Sequence, residues 1–205
     1  MWYLNILFAV LISFFLSFSQ RKPSESDVLF FVKEYCGDFY PEHHVKELLF
    51  VAIKQQRIYL IRHEKMITSY PVSTSKYGLG EILNSKKTPL GLHKIQNKIG
   101  KGVPLRGIIK GGVFTGEKAE LEHYPVSIDN DFVTTRLLWI RGLEQGKNLG
   151  GNVDSYNRRI YIHGTPEEGL IGKPSSHGCI RMTNHEVAEL FELVEKGLHV
   201  MILNV

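Results

Sequence analysis

Two short stretches of the chain carry residue types able to do acyl-transfer chemistry. One is Tyr161-Ile162-His163-Gly164-Thr165, a histidine at the end of a strand-like run. The other is Ser175-Ser176-His177-Gly178-Cys179-Ile180-Arg181-Met182, a cysteine between a glycine and the start of a helical pattern. A thiol of ordinary pKa, about 8.5, is only a few per cent thiolate at neutral pH. An adjacent imidazole can take its proton, and a nearby cation or helix N-terminus favours the anion further. Cys179 lies shortly before Thr183, a candidate helix cap, and Arg181 follows it. Gly178 has no Cβ, which lets a substrate come close to the backbone. The N–H groups of Gly178 and Cys179 are then candidate donors to an oxyanion.

Two other readings compete. Free cysteine is among the most buried residue types, and spacing alone weighs an inert packed thiol equally with a nucleophile. A metal site built from His163, His177 and Cys179 lacks a fourth ligand and any compact ligand pair. His43-His44 is too short a cluster to supply one.

These residues need elements to hold them. Short β-branched and aromatic runs predict strands over residues 48–53, 58–62 and 67–73, a meander of hairpins. Further strands are expected over 90–95, 133–140 and 159–163, and a closing one over 199–203. Gly-punctuated loops over 76–89 and 100–116 separate them. One helix has a strong pattern: Thr183 and Glu186 form a capping box, Val187, Leu190, Phe191 and Val194 follow at helical spacing, and Gly197 ends it. A second, shorter helix over 24–36 is capped by Ser24 with Asp27 and ended by Gly37, with Cys36 as a packing residue. Mostly strands with one or two helices at the edge predict a β-rich α+β domain.

With 205 residues, 43% hydrophobic and 22% charged, the chain can bury a core, which excludes disorder over most of its length. Two cysteines exclude a disulfide scaffold and any four-thiolate zinc module. A net charge of +4 suits an anionic surface or wall polymer and does not point to nucleic acid. From Met1 to Gln20 there is no charged side chain. As a helix such a stretch would reach ~30 Å, one hydrocarbon thickness, so residues 1–19 read as a signal peptide or membrane anchor. Ser17 and Ser19 stand at the small-x-small spacing of a cleavage site. Arg21 and Lys22, on the C-terminal flank, run against the positive-inside rule for an exported domain.

At His163-Gly164 and Ser176-His177-Gly178-Cys179-Ile180-Arg181 the sequence resembles the L,D-transpeptidases with a YkuD-type catalytic domain. The resemblance starts near Leu48 and takes in Tyr70-Pro71-Val72-Ser73-Thr74-Ser75, Thr88-Pro89-Leu90-Gly91 and Val153-Asp154-Ser155-Tyr156-Asn157. It implies a β-sandwich-like catalytic domain over 47–205, with residues 20–46 as an N-terminal helix and connector. It further implies action on peptidoglycan stem peptides in a bacterial cell envelope, in the periplasm or at the outer face of the inner membrane. Carried over, Cys179 is the nucleophile, His163 its proton donor and acceptor, and the Gly164 carbonyl orients the imidazole, as an Asp or Asn does in other Cys–His sites. His177 tunes the thiolate or holds the loop, Ser176 is a loop hydrogen bonder, and Arg181 meets a substrate carboxylate or a protein one such as Glu186. Thr88-Pro89-Leu90-Gly91 reads as a turn that shapes the domain. No metal or organic cofactor is implied. The acceptor is a second stem, giving a 3→3 cross-link, a wall-tethered protein, a free D-amino acid, or water, which makes the enzyme an L,D-carboxypeptidase or amidase. A non-catalytic wall-binding module is the remaining alternative, and the only membrane contact expected is an N-terminal anchor.

Overall fold

The computed structural model describes residues 23–43, 45–128 and 132–205. The apolar stretch over 1–19 and His44 of the histidine pair lie outside the described residues. Among the described residues no helix is long and apolar enough to cross a membrane. The chain divides into two units, Met1–His44 and Val45–Val205.

The first unit holds helix α1, Glu25–Phe39, with Val28, Phe31, Val32 and Cys36 buried. Ser24 and Asp27 form a reciprocal capping box at its start. The helix runs through Gly37, where the sequence predicts its end. A helical glycine costs only about 1 kcal/mol relative to alanine, and Tyr35 stacks on Phe39 one turn later at 4.6 Å. The Cys36 thiol is free, and burial pushes its pKa up to about 11.

The second unit is built on β1 (Glu47–Ala52), β2 (Arg57–Arg62), β3 (Lys65–Pro71), β4 (Gly91–Ile99), β5 (Gly107–Lys110), β6 (Val113–Lys118), β7 (Thr134–Gly142), β8 (Tyr161–Gly164), β9 (Ile180–Met182) and β10 (His199–Leu203), with helix α2 (Asn184–Leu193) between the last two. The strands join in one sheet, in the order β3-β2-β1-β10-β4-β7, which then forks. One branch is the β5–β6 hairpin; the other is β8 and then β9. The second branch closes on itself, because Ser73, just past β3, pairs with Arg181 of β9 through N–H···O bonds of 2.8 and 2.9 Å.

The curled sheet encloses a hydrophobic core. Leu49 and Val51 of β1, Leu138 and Ile140 of β7, Ile162 of β8, Ile180 and Met182 of β9, and Val187, Leu190 and Phe191 of α2 all belong to it. Each such side chain contributes about 1.5–3 kcal/mol on burial. The domain is therefore the β-rich α+β fold that the strand pattern predicts, with few helices.

The Thr183 cap accepts from the Glu186 N–H and donates to the Glu186 carboxylate at 2.7 Å. Helix α2 stops at Leu193, before the predicted Gly197. Val194 already has extended backbone and is fully buried, and Gly197 instead donates its N–H to Ile95 in the turn to β10. The β5–β6 hairpin replaces most of the loop expected over 100–116. Its turn is Gly111-Gly112, both at positive φ, the geometry that two-residue hairpins require.

Candidate active site

Strands β8 and β9 run parallel with Ile162 opposite Ile180 and His163 opposite Arg181. Side chains alternate along a strand. With Ile162 and Ile180 turned into the core, Tyr161, His163, Cys179 and Arg181 share the other face. This alternation, not proximity in sequence, makes His163 and Cys179 diagonal neighbours. The His163 ring is almost fully buried, and its Nδ1 lies 2.8 Å from the Gly164 carbonyl. A carbonyl only accepts, so Nδ1 carries the proton and Nε2 is left as the basic nitrogen. Gly164 is held tightly in turn: a Cβ there would come within 2.7 Å of the Thr134 carbonyl on β7.

Cys179 is half-buried, with Sγ 3.4 Å from the carbonyl oxygen of Arg159, to which the thiol donates. Arg159 adopts φ +58°, a left-handed conformation that costs a residue with a Cβ about 1 kcal/mol or more. Its carbonyl is presented to the sulfur from that turn. Burial pushes the Tyr161 phenol up to about 12, and the neighbouring Cys179 sulfur adds to the shift.

The loop before Cys179 is tied down on several sides. Ser176 is fully buried; its hydroxyl donates to the Cys179 carbonyl at 2.6 Å and accepts the Gly178 N–H at 3.2 Å. That engagement corrects the expectation for Gly178, whose N–H faces into the loop rather than out toward an oxyanion. Gly178 is required here for another reason, its φ of +122°, which L side chains rarely adopt. Thr88 donates to the Gly178 carbonyl at 3.0 Å and accepts the Ser75 N–H at 3.0 Å. The Thr88 turn thus supports the cysteine loop directly.

Of the two expectations for Arg181, the structure bears out the protein carboxylate, with Glu167 in place of Glu186. The Arg181 side chain is fully buried and pairs with the Glu167 carboxylate and the Ser175 hydroxyl, not with Glu186 and not on a surface open to substrate. Glu167 in addition accepts from Ser127 and from the Ile128 N–H, pinning the approach to β7. His177 is exposed, its ring 5.7 Å from that of Tyr77. Among the described residues no group of three or more His, Cys, Asp or Glu is arranged to hold a metal ion.

The sequence profile of the YkuD family, the L,D-transpeptidase catalytic domain, matches residues 46–202. The chain belongs to this family. Among curated proteins it resembles YqjB of Bacillus subtilis (strain 168), 46% identical over 55 residues, which are 26% of this chain and 31% of that one. It also resembles YkuD of the same strain, 33% identical over 87 residues, 40% of this chain and 53% of the relative. Both are named as L,D-transpeptidases. The chain thus spans about half or less of the length of these relatives. Of solved structures, an L,D-transpeptidase from Mycobacterium smegmatis aligns at a TM-score of 0.47 and 17% identity, over 78% of this chain and 59% of that one.

Within this YkuD domain, three supports escape a reading by sequence alone. Glu167 lies in a polar loop where nothing marks it as the partner of Arg181. Thr88 announces only a turn. Arg158, in the turn before β8, stands beside an equally basic Arg159, and spacing does not tell them apart.

Proposed function

We propose that the protein is an L,D-transpeptidase acting on peptidoglycan stem peptides, with Cys179 as nucleophile and His163 as general base and acid. The observation that carries this reading is the shared face of β8 and β9, where a half-open thiol stands diagonal to a buried imidazole whose tautomer is set by Gly164. The Cys179 proton passes to Nε2 of His163, and the sulfur attacks the carbonyl of the third stem residue, a diamino acid. The S–C bond forms and the C–N bond to the terminal D-Ala breaks, its nitrogen taking the proton from His163. An amine then attacks the thioester and frees the thiol. A second stem as acceptor gives a 3→3 cross-link, a protein lysine gives a tether, and a D-amino acid gives an exchanged stem. A peptidoglycan substrate supports a location in the cell envelope of a bacterium, with residues 1–19 as export signal or anchor.

The test is incubation of the purified protein with a disaccharide-tetrapeptide, products read by mass spectrometry. Cross-linked dimer supports transpeptidation, tripeptide alone makes the enzyme a carboxypeptidase on the same acyl-enzyme, and no change refutes an enzyme of this class. A carbapenem supplies a covalent probe of the same step. Intact mass should rise by one adduct, mapped to the peptide containing Cys179 and absent in Cys179→Ala. Labelling at Cys36 instead would defeat the assignment.

A further inference from the structure

The turn over residues 154–160 leads into β8 and passes directly behind the cysteine. It presents the Arg159 carbonyl to Sγ, and one residue earlier it carries Arg158, which is half-buried. Arg158 Nη2 donates to the Lys87 carbonyl at 2.6 Å and to the Ser85 hydroxyl at 3.4 Å. The same Lys87 carbonyl lies 3.3 Å from the point where a Cβ on Gly178 would stand. One carbonyl group therefore separates the guanidinium from the Gly178-Cys179 backbone. Nη1, by contrast, is buried and has no hydrogen-bond partner. An unpaired buried donor on a charged group is costly, and a guanidinium cannot escape that cost by losing its proton. The Glu81 carboxylate acts on this guanidinium without bonding Nη1, and the further anion that the chemistry creates beside it is the thiolate of Cys179.

We propose that Arg158 is a positioning residue for the transfer reaction, holding the 76–89 loop against Gly178 and supplying the positive charge that favours the Cys179 thiolate. The proposal rests on Cys179 being the nucleophile. Burial lowers the Arg158 pKa, while the Glu81 carboxylate and, after it, the Cys179 sulfur oppose that shift. The other groups around the sulfur do not take over the role. Arg159 is exposed, Tyr161 is neutral at working pH, and His163 receives the proton. On the 76–89 loop, the ammonium groups of Lys76 and Lys86 lie 5.5 and 5.7 Å over the Tyr77 ring, against which His177 also packs. Lys87 offers its backbone carbonyl, and Glu81 accepts from the Leu90 N–H.

The test is the rate of alkylation of Cys179 by iodoacetamide as a function of pH, with peptide mapping to separate it from Cys36. Removing a nearby opposite charge in Arg158→Gln should slow alkylation about tenfold near pH 6–7, with the curves meeting at high pH where both thiols are ionised. Arg158→Lys keeps the charge and should stay within about threefold of wild type. Identical pH profiles for wild type and a folded Arg158→Gln overturn the proposal, and so does an Arg158→Lys profile that matches Gln. Should Arg158→Gln not fold, Arg158→Met keeps the apolar stem and takes its place. Cys179→Ala is assayed for turnover in parallel. If it stays active the nucleophile reading falls, whereas loss of turnover there with unchanged Arg158→Gln profiles removes only the role given to Arg158.

Discussion

Two buried histidines in this domain are held in nearly the same way but stand in different surroundings. His163 on β8 and His93 on β4 each place Nδ1 against a backbone carbonyl, Gly164 at 2.8 Å and Gly91 at 3.0 Å. Each therefore keeps Nε2 as an acceptor. Around His93 that nitrogen meets the Ser155 hydroxyl at 3.0 Å, an arrangement that on paper is a nucleophile with its base. Yet His93 and Ser155 are both 0% exposed, whereas Cys179 is half-open beside His163. Access, more than pairing, separates the candidate reactive site from a structural tie. The His93–Ser155 bond holds the 154–160 turn, and that turn brings Arg158 and Arg159 to the sulfur. The sealed pair is thus a brace for the open one.

The comparison breaks most sharply at the two candidate nucleophiles. Cys179→Ala should abolish turnover with the fold intact, because the site has no other group to carry the acyl chain. Ser155→Ala should retain turnover while losing about 1–3 kcal/mol of stability, the cost of leaving the buried His93 nitrogen unpaired. Product analysis and urea unfolding of both variants check this. A folded Ser155→Ala protein without activity would mean that the sealed pair takes part in the chemistry. Next in size is His163→Ala, which should lower the rate by about 10²–10⁴-fold as general base loss does. His177→Ala should cost less, since that ring is exposed and packed on Tyr77; the reverse order in single-turnover rates would exchange their roles.

The same contrast bears on what a reader of the sequence can see. His163 and Cys179 are legible because their motif is local. Their alignment on one face is not, since it depends on the register of β8 with β9, and β9 is only three residues long inside the motif itself. Arg181 reads equally as a substrate anchor or as the partner of a protein carboxylate until Glu167 is folded onto it. Gly178 looks like an oxyanion donor until Ser176 claims its N–H. The β5–β6 hairpin did carry a local signal, Gly111-Gly112 between Ile108-Ile109 and Val113-Phe114, but β6 is exposed throughout and lacks the alternation that marks a half-buried strand. Composition and periodicity reach the core strands and α2; side-chain partners across the sheet stay hidden because tertiary packing chooses them.

Titration provides a third way to separate the histidines. Burial lowers the His93 pKa from 6.5 to about 4. Between those values the unfolded chain binds a proton that the folded protein refuses. Stability from this group is therefore complete above pH 6.5 and lost as pH falls toward 4, by about 3 kcal/mol. Unfolding free energies at pH 7 and pH 4 for wild type and His93→Gln check it, and the variant should lose less on acidification. Equal losses would show that His93 does not stay neutral in the folded state.

The smallest effect expected tests whether the open site has a brace of its own. Thr88 is fully buried and uses its hydroxyl twice, donating to the Gly178 carbonyl and accepting the buried Ser75 N–H. Thr88→Val keeps the volume and removes both bonds. It should lower stability by about 1–2 kcal/mol, mostly through the Ser75 donor left without an acceptor. The Gly178 carbonyl is one peptide from the proposed nucleophile, so the variant should also lower turnover several-fold with little change in KM, because misplacement of a reacting group costs rate even when binding persists. Thr88→Ser restores the hydroxyl and should restore both quantities. If Thr88→Val loses stability but keeps its full kcat, the Ser176 bonds alone hold the cysteine loop, and Thr88 belongs with His93 among the structural ties.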